Sequence, residues 1–189
     1  MSLLFWLPLN GNRENYGLNP AVFTTLNGTS GLEINSAGKI GSCYRRTAST
    51  TSRLRSDSTV NLNKDLSMTC WLYIDSLITN DSKAYGIITN HSHSSSTGVG
   101  LTIKQLSDND YRISCNTGDG TNRTFNTYYG ESINLKGAWH HVGLTYNKNK
   151  KILQLWVDGK VDYTLADYNN ASKEDYIDLF GWSTAHITE

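Results

Sequence analysis

Three segments of the chain alternate apolar and polar residues with the two-residue period of a half-buried strand. In Ser67–Ile74, Met68, Cys70, Leu72 and Ile74 fall on one face, while Thr69, Trp71 and Tyr73 fall on the other. In His140–Tyr146, Val142, Leu144 and Tyr146 oppose His141, Gly143 and Thr145. In Ile152–Asp158, Leu153, Leu155 and Val157 make up the core-facing set. The polar stretch Asn147–Lys151 between the last two predicts a hairpin loop. Asp158-Gly159 predicts a tight turn, because glycine accepts the positive φ that primed hairpin turns require, and Val161–Leu165 returns as the next strand. Weaker patterns predict strands at 22–26, 31–34, 39–45, 85–89, 98–104, 110–116, 122–128 and 177–182. The run Leu3–Leu9 predicts a first strand, and the polar stretches 46–53 and 90–97 predict exposed loops. No stretch of a dozen residues carries a helical stripe. Short strands at this spacing, with no helices between them, predict an antiparallel sandwich. No internal repeat or linker divides the chain, so one domain over residues 1–189 is expected.

Composition sharpens this picture. The 17 basic and 17 acidic residues cancel, which argues against a general nucleic-acid binder needing a net positive field. Aromatics make up 11% of the chain and charged residues 18%, the balance of a chain that buries a core. The chain is rich in Ser, Thr and Asn, which suit strands, turns and loops better than helix interiors. Leu3–Leu9 is short, with no basic residue before it and no small-residue cleavage site after it, so no signal peptide is expected. No run approaches the roughly 18 apolar residues of a membrane-spanning helix, so no membrane insertion is expected. Cys43, Cys70 and Cys115 are odd in number, far apart and in strand-like settings, which predicts buried free thiols.

Several segments together resemble the laminin-G-like members of the concanavalin A-like lectin/glucanase superfamily. Trp139-His-His-Val-Gly-Leu-Thr-Tyr146 and Leu153-Gln-Leu-Trp-Val-Asp-Gly159 match that family's "W-H-h-v-a-l-t-y … l-x-l-y-v-D-G" signature almost position for position. Ser67-Met-Thr-Cys-Trp-Leu-Tyr-Ile74, Gly38-Lys-Ile-Gly-Ser-Cys43 and Leu7-Pro-Leu-Asn-Gly11 resemble its other strands, in the right order over residues 3–182. The resemblance implies an all-β, two-sheet antiparallel jelly roll that binds glycans or protein ligands. Within it, Trp71, Trp139, His140, Asp158 and Gly159 carry the structural motif. The family's closing strand, "i-D-D-v-r-i-Y", has no counterpart before Glu189. An apolar Leu3–Leu9 strand would then lack its neighbour, so the expectation is a chain truncated before its closing strand, or pairing with a neighbouring segment, another virion protein or a second copy. The opening also resembles domains of bacteriophage tail and other virion proteins, which implies a virion location after synthesis in the host cytoplasm.

The glucanases of this superfamily place paired carboxylates in an E-x-D-x-E strand, one to attack and one to protonate the leaving oxygen. None of Glu14, Glu33, Glu131, Glu174 or Glu189 begins such a motif, and no G-x-S-x-G elbow or P-loop is present, so no catalysis is expected. The family's common cofactor, Ca2+, would find its ligands in Asp108, Asp110 and Asp119, which equally suit ordinary turns. His91 and His93 could meet a metal on a trimer axis or simply sit in a Ser-rich loop. Lys39, Arg45, Arg46, Arg53 and Arg55 form a basic interval without acids, which suits a phosphate or sulfated-glycan patch, attraction to the acidic residues 157–178 or, as expected here, a solvated face. For neutral sugars, aromatic faces stack on ring C–H groups and amides bond hydroxyls. Asn122, Arg123, Asn126, Tyr128, Tyr129, Tyr168 and Asn169 have that composition.

The expected function is a non-catalytic carbohydrate- or ligand-binding adhesion module, displayed on a phage virion to attach to host-surface or mucus glycan. The alternative is a structural virion domain that binds other proteins, and a glycoside hydrolase stands behind both.

Overall fold

A computed structural model describes residues 5–7, 9, 12–26, 32–46, 53–75, 84–92, 97–107, 109–119, 126–131 and 133–180; the side chains of residues 46, 84, 91, 92, 119, 126 and 127 are not described. In chain order the strands are β1 (Phe23–Leu26), β2 (Leu32–Asn35), β3 (Cys43–Arg46), β4 (Arg53–Ser56), β5 (Val60–Asn61), β6 (Leu66–Tyr73), β7 (Ala84–Ser92) and β8 (Thr97–Ser107). They continue with β9 (Asp110–Asp119), β10 (Asn126–Tyr129), β11 (Trp139–Asn147), β12 (Ile152–Val157), β13 (Lys160–Leu165), β14 (Glu174–Asp175) and β15 (Asp178–Leu179). A seven-stranded sheet runs β1-β4-β15-β7-β8-β9-β10 and a four-stranded sheet runs β13-β12-β11-β6, with two small ribbons, β14-β5 and β2-β3. All the strand pairings are antiparallel, and no helix occurs among the described residues. The molecule is thus the all-β antiparallel sandwich that the alternation predicts.

The two sheets are joined by the apolar faces read from the sequence. Val142, Leu144, Leu153, Leu155 and Val157 are fully buried, and Met68, Ile74 and Tyr146 nearly so. Across the interior, Val99, Leu101, Ile113, Cys115 and Leu54 supply the matching surface of the large sheet. Register fixes this division, because directly opposed residues share a face: Leu144 faces Met68 and Leu155, and Leu101 faces Cys115. Cys43, Cys70 and Cys115 are free thiols as expected, but only Cys115 is fully buried and the other two are half-buried; desolvation pushes the Cys70 and Cys115 thiols up to about 12.

The opposite face of the large sheet is polar, yet buried in its middle. Thr89, Thr102, Ser114 and Asn116 are almost without exposure, and the hydroxyls of Thr102 and Ser114 lie 2.6 Å apart. Towards its edge the same face joins the basic and acidic segments in a half-buried ion pair, so Arg53 and Arg55 do not lie on the solvated face expected of them. Arg55 grips Asp178 with Nε–Oδ1 at 2.6 Å and Nη2–Oδ2 at 2.7 Å, and Arg53 Nε reaches Asp178 Oδ2 at 3.2 Å.

Two features shape the edge where β10 and β13, the outer strands of their sheets, approach each other. A bulge shifts the β12–β13 register, pairing Leu155 with Tyr163 but Trp156 with Val161, so Asp162 is the extra residue. Its carboxylate occupies the space beside Gly130, where a Cβ would lie only 1.7 Å from Asp162 Oδ2. Next to it, Tyr128 of β10 stacks on Tyr163 of β13 with ring centroids 6.1 Å apart.

Four expectations are corrected. Phe5, Trp6, Leu7 and Leu9 form no strand: the Trp6 backbone is held by the Asn15 side chain at 3.0 Å and by Tyr16 N–H at 2.9 Å, while Phe5 packs edge-on against Phe23. The stretch 90–97 is not wholly an exposed loop, because β7 and β8 extend into it and both Asn90 and Thr97 are buried. Asn90 Nδ2 satisfies itself there by donating to the carbonyls of Asp175 at 2.9 Å and Val60 at 3.3 Å. The strand predicted at 39–45 begins only at Cys43, after a bend. Arg53, placed in a loop by its polarity, starts β4.

Gly130→Ala should lower stability by about 1–3 kcal/mol, because its methyl must displace a carboxylate and also meets Ile113 Cγ2 at 3.1 Å. Gly143→Ala, whose methyl meets Thr69 Cγ2 at 3.0 Å, should cost less. Urea midpoints at unchanged slope measure both.

Candidate functional site

At the sandwich rim, where β9, β10 and the end of β13 converge, a cleft of about 260 Å3 is lined by Thr117, Tyr128, Leu165, Ala166, Asp167, Tyr168 and Asn169. The sequence folds this way because β13 stops at Leu165 and Asp167 takes a left-handed φ of 57°, turning the chain across the gap between the sheets. The returning segment is pinned by Tyr168 N–H donating to Lys151 O at 3.0 Å, and by Tyr146 Oη donating to Tyr168 O at 3.2 Å. The Tyr168 ring packs edge-on against Tyr146 at 5.4 Å and is nearly buried, so it is a wall of the cleft. Tyr128 is half-buried and fixed by its stack on Tyr163. Thr117, Asp167 and Asn169 add a hydroxyl, a carboxylate and an amide to this aromatic wall. Asp167 is the single carboxylate among the described lining residues.

The structure brings three of the sequence-predicted binding residues, Tyr128, Tyr168 and Asn169, to one cleft. Tyr129, the next residue of β10, points to the other face and is exposed. Asn126 begins β10 opposite Thr117, while Asn122 and Arg123 lie outside the described residues. Asn170, beside Asn169, is a core residue: it donates to Leu62 O at 2.9 Å and accepts from Ser172 N–H at 2.9 Å. Thr117, Leu165, Ala166 and Asp167 were not read as site residues, since nothing in their local pattern distinguishes them from ordinary strand and turn positions. A wider groove of about 620 Å3 runs along Arg13–Tyr16 and Pro20–Thr24. Its polar groups bond to one another or to neighbours, Arg13 to Thr25 Oγ1 at 2.7 Å and Glu14 to Tyr16, leaving fewer to converge on a ligand.

Of the proposed calcium ligands, Asp108 and the side chain of Asp119 are not described. Both oxygens of Asp110 face Arg112, with Nη2–Oδ2 at 3.0 Å, so its charge is already compensated by a cation and does not suit a second one. Among the described residues, no group of three or more His, Cys, Asp or Glu stands together to hold a metal. His93 and the side chain of His91 also lie outside the described residues.

The signature residues have structural work. Asp158 and Gly159 both take positive φ, 50° and 78°, which makes a type I′ turn between Val157 and Lys160. The turn is latched to β11 three times: Asp158 N–H donates to His141 O at 2.8 Å, His141 N–H to Asp158 Oδ1 at 2.9 Å, and His140 Nδ1 lies 2.8 Å from Asp158 Oδ2. The His140 bond is the main reason the Asp158 carboxyl lies below its ordinary 3.8. On the outer face, Trp139 packs on Tyr73 at 5.6 Å, and Trp71 on His141 at 5.2 Å.

A lectin-like sandwich with a small, mixed aromatic and polar rim cleft is the class these features define. The chain belongs to the concanavalin A-like lectin/glucanases superfamily: a laminin G family model matches residues 46–185. The match begins later than the resemblance read from residue 3, leaving the first 45 residues outside it. Comparison with curated protein sequences finds no match. Among solved structures, the fold is similar to domain 4 of AbnA, a GH43 extracellular arabinanase from Geobacillus stearothermophilus, in complex with arabinotriose. The identity is 16%, over 96% of this chain and 84% of that one, with a TM-score of 0.62. It is also similar to the carbohydrate-binding module CBM66 from Bacillus subtilis, at 10% identity over 93% and 91% of the chains, TM-score 0.53. A third is the heptameric SAP-like pentraxin from Limulus polyphemus, at 9% identity over 82% of this chain and 65% of that one, TM-score 0.53.

A carboxyl whose folded pKa is depressed stabilises the fold above its unfolded value and loses that contribution as pH falls through its folded value. The melting temperature of the wild type should therefore fall as pH drops below 3.8, and Asp158→Asn, which keeps a turn-compatible residue, should flatten that part of the acid limb. Thermal melts of both proteins over an acid pH series measure the difference.

Proposed function

We propose that this chain is a non-catalytic carbohydrate-binding module that holds a sugar unit in the rim cleft. The observation that carries this reading is the meeting of the Tyr128 ring with the Thr117 hydroxyl, the Asn169 amide and the Asp167 carboxylate in one 260 Å3 cleft. An aromatic ring packs on the C–H face of a sugar, and the polar groups bond the hydroxyls at its edge. The volume falls below the range of drug-sized ligand pockets, which suits one or two sugar rings. The fold shared with CBM66 and with an arabinotriose-bound arabinanase domain supports the same class of ligand. A single lining carboxylate is one short of the pair that glycoside hydrolysis uses, which supports binding without catalysis. Display on a phage virion, for attachment to host or mucus glycan, belongs to the same proposal and draws its support from the sequence resemblance.

A glycan array followed by calorimetry, each with calcium and with chelator, tests the proposal. Wild type should bind a defined set of glycans. Asn169→Ala should weaken that binding tenfold or more while its melting temperature stays within a few degrees, because Asn169 lines the cleft on a surface segment. Silence across the array together with strong self-association would overturn the reading in favour of a structural assembly domain.

A further inference from the structure

The outer face of the four-stranded sheet carries a second set of aromatic rings, away from the cleft. In register, Tyr73 stands beside Trp139 and Trp71 beside His141, while Trp156 follows on β12 opposite Gly143. The rings form two tilted pairs, Tyr73–Trp139 at 5.6 Å and Trp71–His141 at 5.2 Å, each inclined by about 50°. The indole N–H of Trp156 donates to Thr145 Oγ1 at 2.9 Å, which fixes that ring on the sheet surface. Trp71 is 45% exposed and Tyr73 44%. β6, which bears both, is the outermost strand of the sheet, three strands from β13 and the cleft. At the usual strand spacing this is about 14 Å.

We propose that this face is a second carbohydrate-contacting surface, which takes the C–H faces of a neutral polysaccharide lying across β6 and β11. Size favours a narrow ligand over a folded partner. At ~150–250 Å2 per aromatic side chain, the open parts of Trp71 and Tyr73 amount to roughly 200 Å2, against about 800 Å2 per partner in a standard protein interface. Chemistry favours a sugar over an acyl chain. Besides Gly143 and one exposed aliphatic residue, Val161, the rest of the face is Ser67, Thr69, Thr145, Gln154 and Thr164, whose hydroxyls and amide would be stranded beneath hydrocarbon but can bond sugar hydroxyls. Charge favours a neutral polymer. Lys39 lies over the Trp71 ring at 4.7 Å, and nearby Arg45 is 3.9 Å from both Glu33 and Asp75, so cations and carboxylates offset one another around the rings. Packing between the rings holds them in place before any ligand arrives, which lowers the ordering cost of binding.

The surface does not depend on the cleft, and the test separates the two. Affinity electrophoresis of the full chain through gels containing soluble mixed-linkage β-glucan, arabinan or galactomannan should show retardation by at least one neutral polymer. Trp71→Ala with Tyr73→Ala should weaken that retardation tenfold or more, Trp71→Phe should restore part of it, and binding of monosaccharides or disaccharides should be unchanged in all of them. Near-ultraviolet circular dichroism and melting temperature check that the variants fold. Retardation of the double variant equal to wild type would overturn the proposal, as would absence of retardation in every polymer. Sedimentation of the wild type with phosphatidylcholine vesicles, lost in the double variant, would assign the face to lipid and overturn it too. An Asn169→Ala variant that binds oligosaccharides like the wild type, beside a double variant that loses polymer binding, would remove the cleft reading and leave this one standing.

Discussion

Everything in this molecule hangs on the apolar contact between its two sheets. Val142, Leu144, Leu153, Leu155 and Val157 on one side meet Val99, Leu101, Ile113 and Cys115 on the other, all of them fully buried. A strand's side chains alternate strictly, so committing these residues inward commits Trp71, Tyr73, Trp139, His141 and Trp156 outward and Thr102, Ser114 and Asn116 to the far face of the large sheet. A one-residue slip would reverse every assignment. The type I′ turn at Asp158-Gly159 guards against that slip, since its length and hand set the β12–β13 register and its carboxylate ties the turn to β11.

The candidate sites follow from how this sandwich ends. Two twisted sheets of unequal width cannot stay in contact along every edge. At β10 and β13 the gap is closed by the Tyr128–Tyr163 stack and by the bulge that lowers Asp162 beside Gly130. Just beyond that closure the chain turns at Asp167 and leaves the rim cleft open. The cleft-lining groups therefore sit on rigid strands or on a segment pinned to them, so they are held in place before any ligand arrives. The outer face arises differently, as the polar side of a strand pattern whose solvent positions are filled by aromatic rings.

Legibility in the sequence tracked exposure contrast. β6, β11 and β12 are buried on one face and open on the other, so their alternation was plain, and so were the Asn147–Lys151 loop and the Asp158-Gly159 turn. β7, β8 and β9 lie in the middle of the large sheet and are buried on both faces, which erases alternation; Asn90 and Thr97 then looked like loop residues although their polar groups are enclosed. Arg53 and Arg55 disguised β4, because only the tertiary ion pair with Asp178 explains arginines in a half-buried strand. Tyr128, Tyr168 and Asn169 stood out by composition as candidate binding residues, and all three line the cleft. Their convergence with Thr117 and Asp167 was not, since it joins segments some fifty residues apart whose meeting depends on the fold.

The claim that the rim cleft is where ligand binds is tested most directly by amide chemical-shift mapping on the isotopically labelled protein, titrated with an oligosaccharide that it binds. The largest saturable shifts should cluster at Thr117, Tyr128 and Ala166–Asn169, around the 260 Å3 cleft. Shifts that leave those residues untouched, clustering instead on the polar face around Thr102 and Ser114 or along the groove at Arg13–Thr24, would contradict it.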